Sequence, residues 1–178
     1  MRDKILEHLD TSIKCINNLK KQADKIEKIA KIIQVAKNKN KKVFLFGNGG
    51  SASTASHLVC DFAKFKGLKA LALTDDIPLI TAWSNDEDYS VIFKEQLKSL
   101  LEKGDVVIGI SGSGKSKNVL EAIKYANEKG AYTIGLAGFD GGELKKLAKE
   151  CLVVEIASMQ HSEDMHLLIG HLLASLLK

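Results

Sequence analysis

The sequence predicts an α/β fold: a three-layer sandwich with a five-stranded parallel sheet, preceded by N-terminal helices. Three observations predict it. From residue 41 onward, short apolar runs alternate with helical stretches, which implies parallel strands with helices covering both faces. Two of those runs end in glycine-and-serine loops, at residues 47–51 and 111–116. Residues 1–40 carry helical periodicity alone.

The elements follow in order. Ile5, Leu9, Ile13, Ile16 and Leu19 recur at steps of three and four and form one apolar stripe. Ile26, Ile29, Ile32 and Ile33 form a second, so two helices are expected with a break near residues 20–24. Residues 43–46 read as a buried strand, 51–65 as a helix and 70–73 as the second strand. Residues 77–101 are largely helical, with an interruption near 84–88. A third strand at 106–110 precedes a helix at 118–128, and a fourth at 132–137 precedes a short helix at 143–149. The fifth strand is expected at 152–156 and the closing helix at 163–177. No repeat or linker interrupts this pattern, so residues 1–178 are expected to form a single domain, with 41–178 as its α/β core.

Composition excludes several classes. No apolar run approaches the roughly 20 residues that span a bilayer. Met1-Arg2-Asp3-Lys4 leads into a mixed-charge helix without an apolar signal core, so a cytoplasmic location is expected. Cys15, Cys60 and Cys151 are far apart and contain no CxxC pair, which argues against a disulfide framework or a cysteine-bound metal. The net charge of +4 is carried by lysine, Arg2 being the only arginine. The densest basic stretch, residues 37–42, reads as a solvated loop. A nucleic-acid surface would combine arginines and aromatics on one face. Neither a nucleic-acid nor a membrane partner is expected.

The first loop, Gly47-Asn48-Gly49-Gly50-Ser51, follows a strand and opens a helix. Its glycines allow close backbone approach, and the helix start offers free N–H groups to an anion. The second, Ser111-Gly112-Ser113-Gly114-Lys115-Ser116, has the same context and three hydroxyls that could wrap a phosphate. Residues 109–116 also match the nucleotide-binding pattern GxxxxGK[ST], and Asp75 stands at a strand end where such proteins hold a metal. Gly109 lies inside the apolar strand, however, whereas a nucleotide loop begins where its strand ends.

His57 and Asp61 lie four residues apart and share one helix face. His161, Glu163, Asp164, His166 and His171 crowd the closing helix, and His8 stands alone on the first. Glu163 and His171, eight residues apart, are about 80° out of alignment. Together with His57 and Asp61 they offer the mixed imidazole and carboxylate donors that suit zinc and similar ions. Asp164 and His166 face elsewhere, as supporting or interface groups. A phosphate clamp beside a carboxylate, an imidazole and a metal is what aldose–ketose isomerisation needs.

These loops, with Gly138-Phe139-Asp140-Gly141-Gly142, resemble the sugar isomerase (SIS) domain, whose fold is flavodoxin-like. Asn85-Asp86 and the closing Glu163-x-x-His166-x4-His171 resemble the phosphoheptose isomerases in particular. The resemblance implies conversion of sedoheptulose 7-phosphate to D-glycero-D-manno-heptose 7-phosphate, feeding heptose for lipopolysaccharide or capsule. It implies a homotetramer with active sites between subunits, residues 1–40 contributing to its helical bundle. It implies one zinc per subunit and no nucleotide. By resemblance Ser51, Ser111, Ser113 and Ser116 hold the phosphate, with Gly49, Gly50 and Gly112 beside them. Asn48, Asn85, Asp86 and Glu163 contact the substrate. His57, Asp61, Glu163 and His171 are the metal ligands, and Asp61 and His171 the acid–base pair. Three positions depart from that family: Asp61 stands where Glu is usual, Glu163 where Gln is usual, and Lys115 where Asn is usual. Two other classes remain open, a nucleoside triphosphatase and a non-catalytic SIS protein that binds sugar phosphates or associates with the replication initiator. The carboxylate at Asp61 favours an enzyme.

Overall fold

A computed structural model describes residues 1–178. Five parallel strands make one sheet in the order β2-β1-β3-β4-β5, from β1 (Lys42–Phe46), β2 (Lys69–Ala72), β3 (Val106–Ser111), β4 (Tyr132–Gly138) and β5 (Glu150–Val154). Helices α1 (Arg2–Lys20), α2 (Ala23–Asn38), α3 (Gly50–Cys60) and α8 (Met159–Leu176) cover one face. Helices α5 (Ile92–Leu100), α6 (Lys117–Glu128) and the single turn α7 (Leu144–Leu147) cover the other. The expected three-layer α/β sandwich is the observed one.

Strand alternation divides the core. Val43 and Leu45 of β1 face α2, α3 and α8, where Ile29, Ile33, Leu58, Phe62 and Ile169 are buried. Phe44 and Phe46 face the other way, and Phe46 stacks on Phe93 of α5 at 4.9 Å between ring centroids. Every residue of β3 is buried, as a central parallel strand requires.

The first helical break falls at Lys21 and Gln22, inside the expected window. Gln22 closes the open edge of β5: its Nε2 donates to the Val153 carbonyl at 2.8 Å, and its Oε1 accepts from Val153 N–H at 3.2 Å. Only Cys15 and Leu19 of α1 are buried, and Ile5, Leu9 and Ile13 of its apolar stripe are more than half exposed.

Most boundaries fall within a residue of expectation; the larger departures lie near the carboxyl end. The helix read at 143–149 is one turn, because Ala148 is already extended and β5 begins at Glu150 rather than at residue 152. The strand correspondingly ends at Val154. The closing helix starts at Met159, four residues early, after the extended Ser158, whose carbonyl accepts from Ser162 N–H. Residues 77–101 divide into α4 (Ile77–Asp86), a 3₁₀ turn (Tyr89–Val91) and α5; α4 buries no side chain fully.

The order places the reversal of winding between β1 and β3. The crevice beyond the carboxyl ends of those two strands is where such sheets bind ligands.

Candidate functional site

Both glycine loops open into that crevice. Asn48, Gly49, Ser51, Ser111, Gly112, Ser113, Ser116, Met159 and Glu163 line a cavity of about 260 Å3 there. Gly49 sits at φ 55°, a left-handed conformation that glycine adopts freely, and this turns the chain from β1 into α3. Ser111 and Ser116 Oγ atoms lie 2.9 Å apart, and Ser113 Oγ accepts from Lys115 N–H at 3.2 Å. The amino ends of α3 and α6 thus meet four serine hydroxyls, an arrangement suited to a phosphate dianion.

Asn48 is held from behind. Its amide exchanges two hydrogen bonds with the buried Asn118, at 2.8 and 3.0 Å, and its Oδ1 also accepts from Tyr89 O–H at 3.0 Å. Neither Asn118 nor Tyr89 was expected. Asn118 follows the second loop on α6, where a lone amide carries no pattern, and Tyr89 lies just past the interruption read at 84–88, in a stretch read only as helical. Asn85 and Asp86 are exposed at the end of α4, bonded to each other at 2.8 Å, and they do not line the cavity.

At the far end of α3 a second constellation forms. His57, Asp61 and His171 present ligand atoms within 4.8 Å of one another. His57 Nε2 and His171 Nε2 are 2.9 Å apart, and Asp61 Oδ2 lies 3.7 Å from the first and 3.6 Å from the second. Two nitrogens on one tetrahedral zinc, each bound at about 2.0–2.1 Å, stand roughly 3.3 Å apart, so the donor set fits such an ion. Asp61 begins a π-helical turn (Asp61–Phe65), a form concentrated at functional sites. The approach of α8 to α3 depends on Gly170: a β-carbon there would stand 2.2–2.8 Å from the Leu58 side chain. That close contact sets His171 opposite His57.

Glu163, expected as the fourth ligand, stands apart from these three. Eight residues of helix separate it from His171 by about 12 Å along the axis. Its carboxylate lies against Gly50, at the serine cavity, so within one chain it is brought to the phosphate end. His166 does not face an interface; it is fully buried against the sheet without a well-formed hydrogen bond, and burial pushes its pKa down to about 4. His161 is also buried and ties α8 to α1: its Nε2–H donates to the His8 carbonyl at 3.2 Å, and Ser158 Oγ stands 2.8 Å from its Nδ1. The His8 ring packs on it at 4.1 Å between centroids. Asp164 is exposed.

The nucleotide-loop pattern does not match the observed geometry. Gly109 pairs with Phe46 and Gly135 within the sheet, and β3 continues to Ser111 before the chain turns. Lys115 lines a neighbouring cavity of about 820 Å3 with Asp140, Lys145 and Glu155. Asp75 receives Ser56 O–H and, at 3.4 Å, Thr74 O–H.

The chain as a whole is similar to known proteins. The SIS domain family model matches residues 7–138. The phosphoheptose isomerase of Nitratiruptor sp. is 43% identical over 82% of this chain and 80% of its own length. That of Thermodesulfovibrio yellowstonii is 36% identical over 100% and 92%. The solved structure of phosphoheptose isomerase from Neisseria gonorrhoeae superposes with a TM-score of 0.94 at 31% identity, covering 98% of this chain and 96% of that one. The chain belongs to the SIS domain family and, within it, to the phosphoheptose isomerases.

Proposed function

We propose that this protein interconverts sedoheptulose 7-phosphate and D-glycero-D-manno-heptose 7-phosphate through an enediol, with a zinc ion held by His57, Asp61 and His171. One observation carries the reading: α3 opens in the serine cavity and ends in the histidine–aspartate cluster. From Ser51 the helix rises about 9 Å to His57 and about 15 Å to Asp61. An extended seven-carbon sugar phosphate spans roughly 10 Å, given single bonds near 1.5 Å. A phosphate on Ser51, Ser111, Ser113 and Ser116 therefore leaves the first two carbons within reach of the cluster.

The roles follow from position. The serine hydroxyls and the helix amino ends fix the anionic tail. Asn48, braced by Asn118 and Tyr89, presents its amide to sugar hydroxyls. Glu163 at the cavity rim accepts from the same chain of hydroxyls, and Asn85 and Asp86 approach the sugar from α4. Asp61 and His171 form the acid–base pair: one takes the proton from the carbon beside the carbonyl, the other delivers a proton to the oxygen, and the reverse transfer completes the exchange. A bound zinc ion would polarise the carbonyl oxygen.

The assembly belongs to the same reading. Residues 1–178 act as one domain whose N-terminal helices, 1–40, join other copies in a tetrameric bundle. The exposed Ile5, Leu9 and Ile13 of α1 and Leu172 and Leu176 of α8 support this. Active sites then lie between subunits. No helix is long and apolar enough to cross a membrane, in keeping with a cytoplasmic enzyme supplying heptose for cell-surface polymers.

The test is an isomerase assay on a panel of ketose phosphates, with metal analysis of the same preparation. Turnover of sedoheptulose 7-phosphate with bound zinc supports the proposal. Zinc-loaded protein that binds sugar phosphates but turns none of them over would refute it and favour a regulatory role.

A further inference from the structure

At the opposite end of the sheet, the amino ends of β3 and β4 meet α2 around a cleft of about 570 Å3. Twenty-five of the 178 residues are lysine, yet six of the 14 that line this cleft are: Lys28, Lys31, Lys39, Lys41, Lys103 and Lys149. No carboxylate lines it. Outside the rim, Glu150 pairs with Lys28, Glu27 with Lys31, and Glu102 with Lys41 at 3.5 Å. Lys39, Lys103 and Lys149 have no acidic partner. The floor is apolar, made by Ile32, Val35, Val106 and Tyr132. The stems of Lys41 and Lys103 lie across Gly104 and Gly130, and Lys149 Nζ sits 5.5 Å from the Tyr132 ring centroid.

We propose that this cleft binds a chain of two or three phosphate groups. Lys39, Lys103 and Lys149 leave three ammonium groups without a carboxylate around one concavity, and a cleft with low-dielectric walls concentrates their potential. A single phosphate dianion would neutralise only two of those three charges, whereas a chain of two or three phosphates carries enough charge for all of them. Ammonium groups act as point charges that suit phosphate oxygens, whereas a planar carboxylate is better matched by arginine, which the cleft lacks. Lys39 and Lys41, read from sequence as a solvated loop, are therefore part of a binding surface. The site lies about 20 Å from the serine cavity, the length of β3, and is independent of the isomerase reading.

The source of the chain is either free polyphosphate or the tail of a nucleotide, and calorimetric titration of the full-length protein with tripolyphosphate, ATP and orthophosphate separates them. Tripolyphosphate and ATP are expected to bind at least about tenfold more tightly than orthophosphate, with affinity falling as salt rises. Equal affinity for the two assigns the phosphate chain alone. Tighter ATP binding assigns the base to the apolar floor beside Tyr132. The double variant Lys39→Glu, Lys103→Glu should weaken both at least about tenfold, with isomerase turnover unchanged, and Lys115→Ala should leave them unaltered. Wild-type protein supplies a check that needs no variant: tripolyphosphate should shield Lys39, Lys103 and Lys149 from acetylation while Lys124 and Lys146 react as before. Absence of binding at low salt, binding indifferent to the charge reversal, or binding lost in Lys115→Ala would each overturn the proposal.

Discussion

His57 Nε2 and His171 Nε2 lie 2.9 Å apart across 114 residues of sequence, with Asp61 closing the third side. Two neutral imidazoles at that distance share one proton between them. With a cation between them, both nitrogens become donors to the same ion.

Removing the metal should therefore abolish turnover and loosen the helix pair. Dialysis against a chelator is expected to leave an inactive protein that regains activity with about one zinc per subunit. Plasma emission spectrometry alongside the assay checks this. Full activity in protein shown to be metal-free would contradict it.

Asp61→Asn keeps the shape of the side chain and removes its basicity. We expect kcat to fall by about 10²–10⁴, the usual worth of a positioned acid or base. His171→Ala should fall at least as far. Size-exclusion profiles should match the wild type in both, which separates a chemical loss from a structural one.

Ser111→Ala and Ser116→Ala should act on substrate capture. Hydrogen bonds to charged groups contribute about 1.5–3 kcal/mol, so KM for the sugar phosphate should rise roughly 10- to 100-fold with a smaller change in kcat. An unaltered KM in both would place the phosphate elsewhere.

Gly170→Ala tests the helix contact that sets the cluster. The added methyl meets Leu58, and overpacking of this kind typically costs about 1–3 kcal/mol. Metal affinity should fall as well, because His171 is the next residue. Leu58→Ala in the same chain should restore part of both, as read by urea denaturation and zinc titration.

His166 gives stability a pH dependence of defined sign. Burial lowers its folded pKa to about 4, from the ordinary imidazole value of 6.5. The unfolded chain therefore takes up a proton that the folded chain refuses, and stability falls as pH drops from about 6.5 toward 4. The loss should be about 2 kcal/mol by pH 5 and about 3 kcal/mol by pH 4. His166→Leu should flatten that part of the profile in urea titrations at pH 5 and 7.

The sheet and its two loops were legible because apolar runs, glycines and hydroxyl clusters are local signals. His57 and Asp61 were legible for the same reason, sharing a helix face at four-residue spacing. Glu163 was grouped with His171 on helical spacing and family likeness alike, but eight residues of rise send it to the other end of the site. Asn118 and Tyr89 support Asn48 through contacts 70 and 41 residues long, which no spacing rule reveals. The early start of α8 has no local signal either, since Met159 to Ser162 show no helical stripe and are ordered by packing against α1 and the sheet.

The first helix has one further consequence. A lone protomer presents Ile5, Leu9 and Ile13 to water, so under the tetramer proposed above its folded state gains stability as other copies cover them. Dilution then acts as a denaturant: the thermal midpoint should climb with protein concentration, and specific activity should fade in very dilute solution.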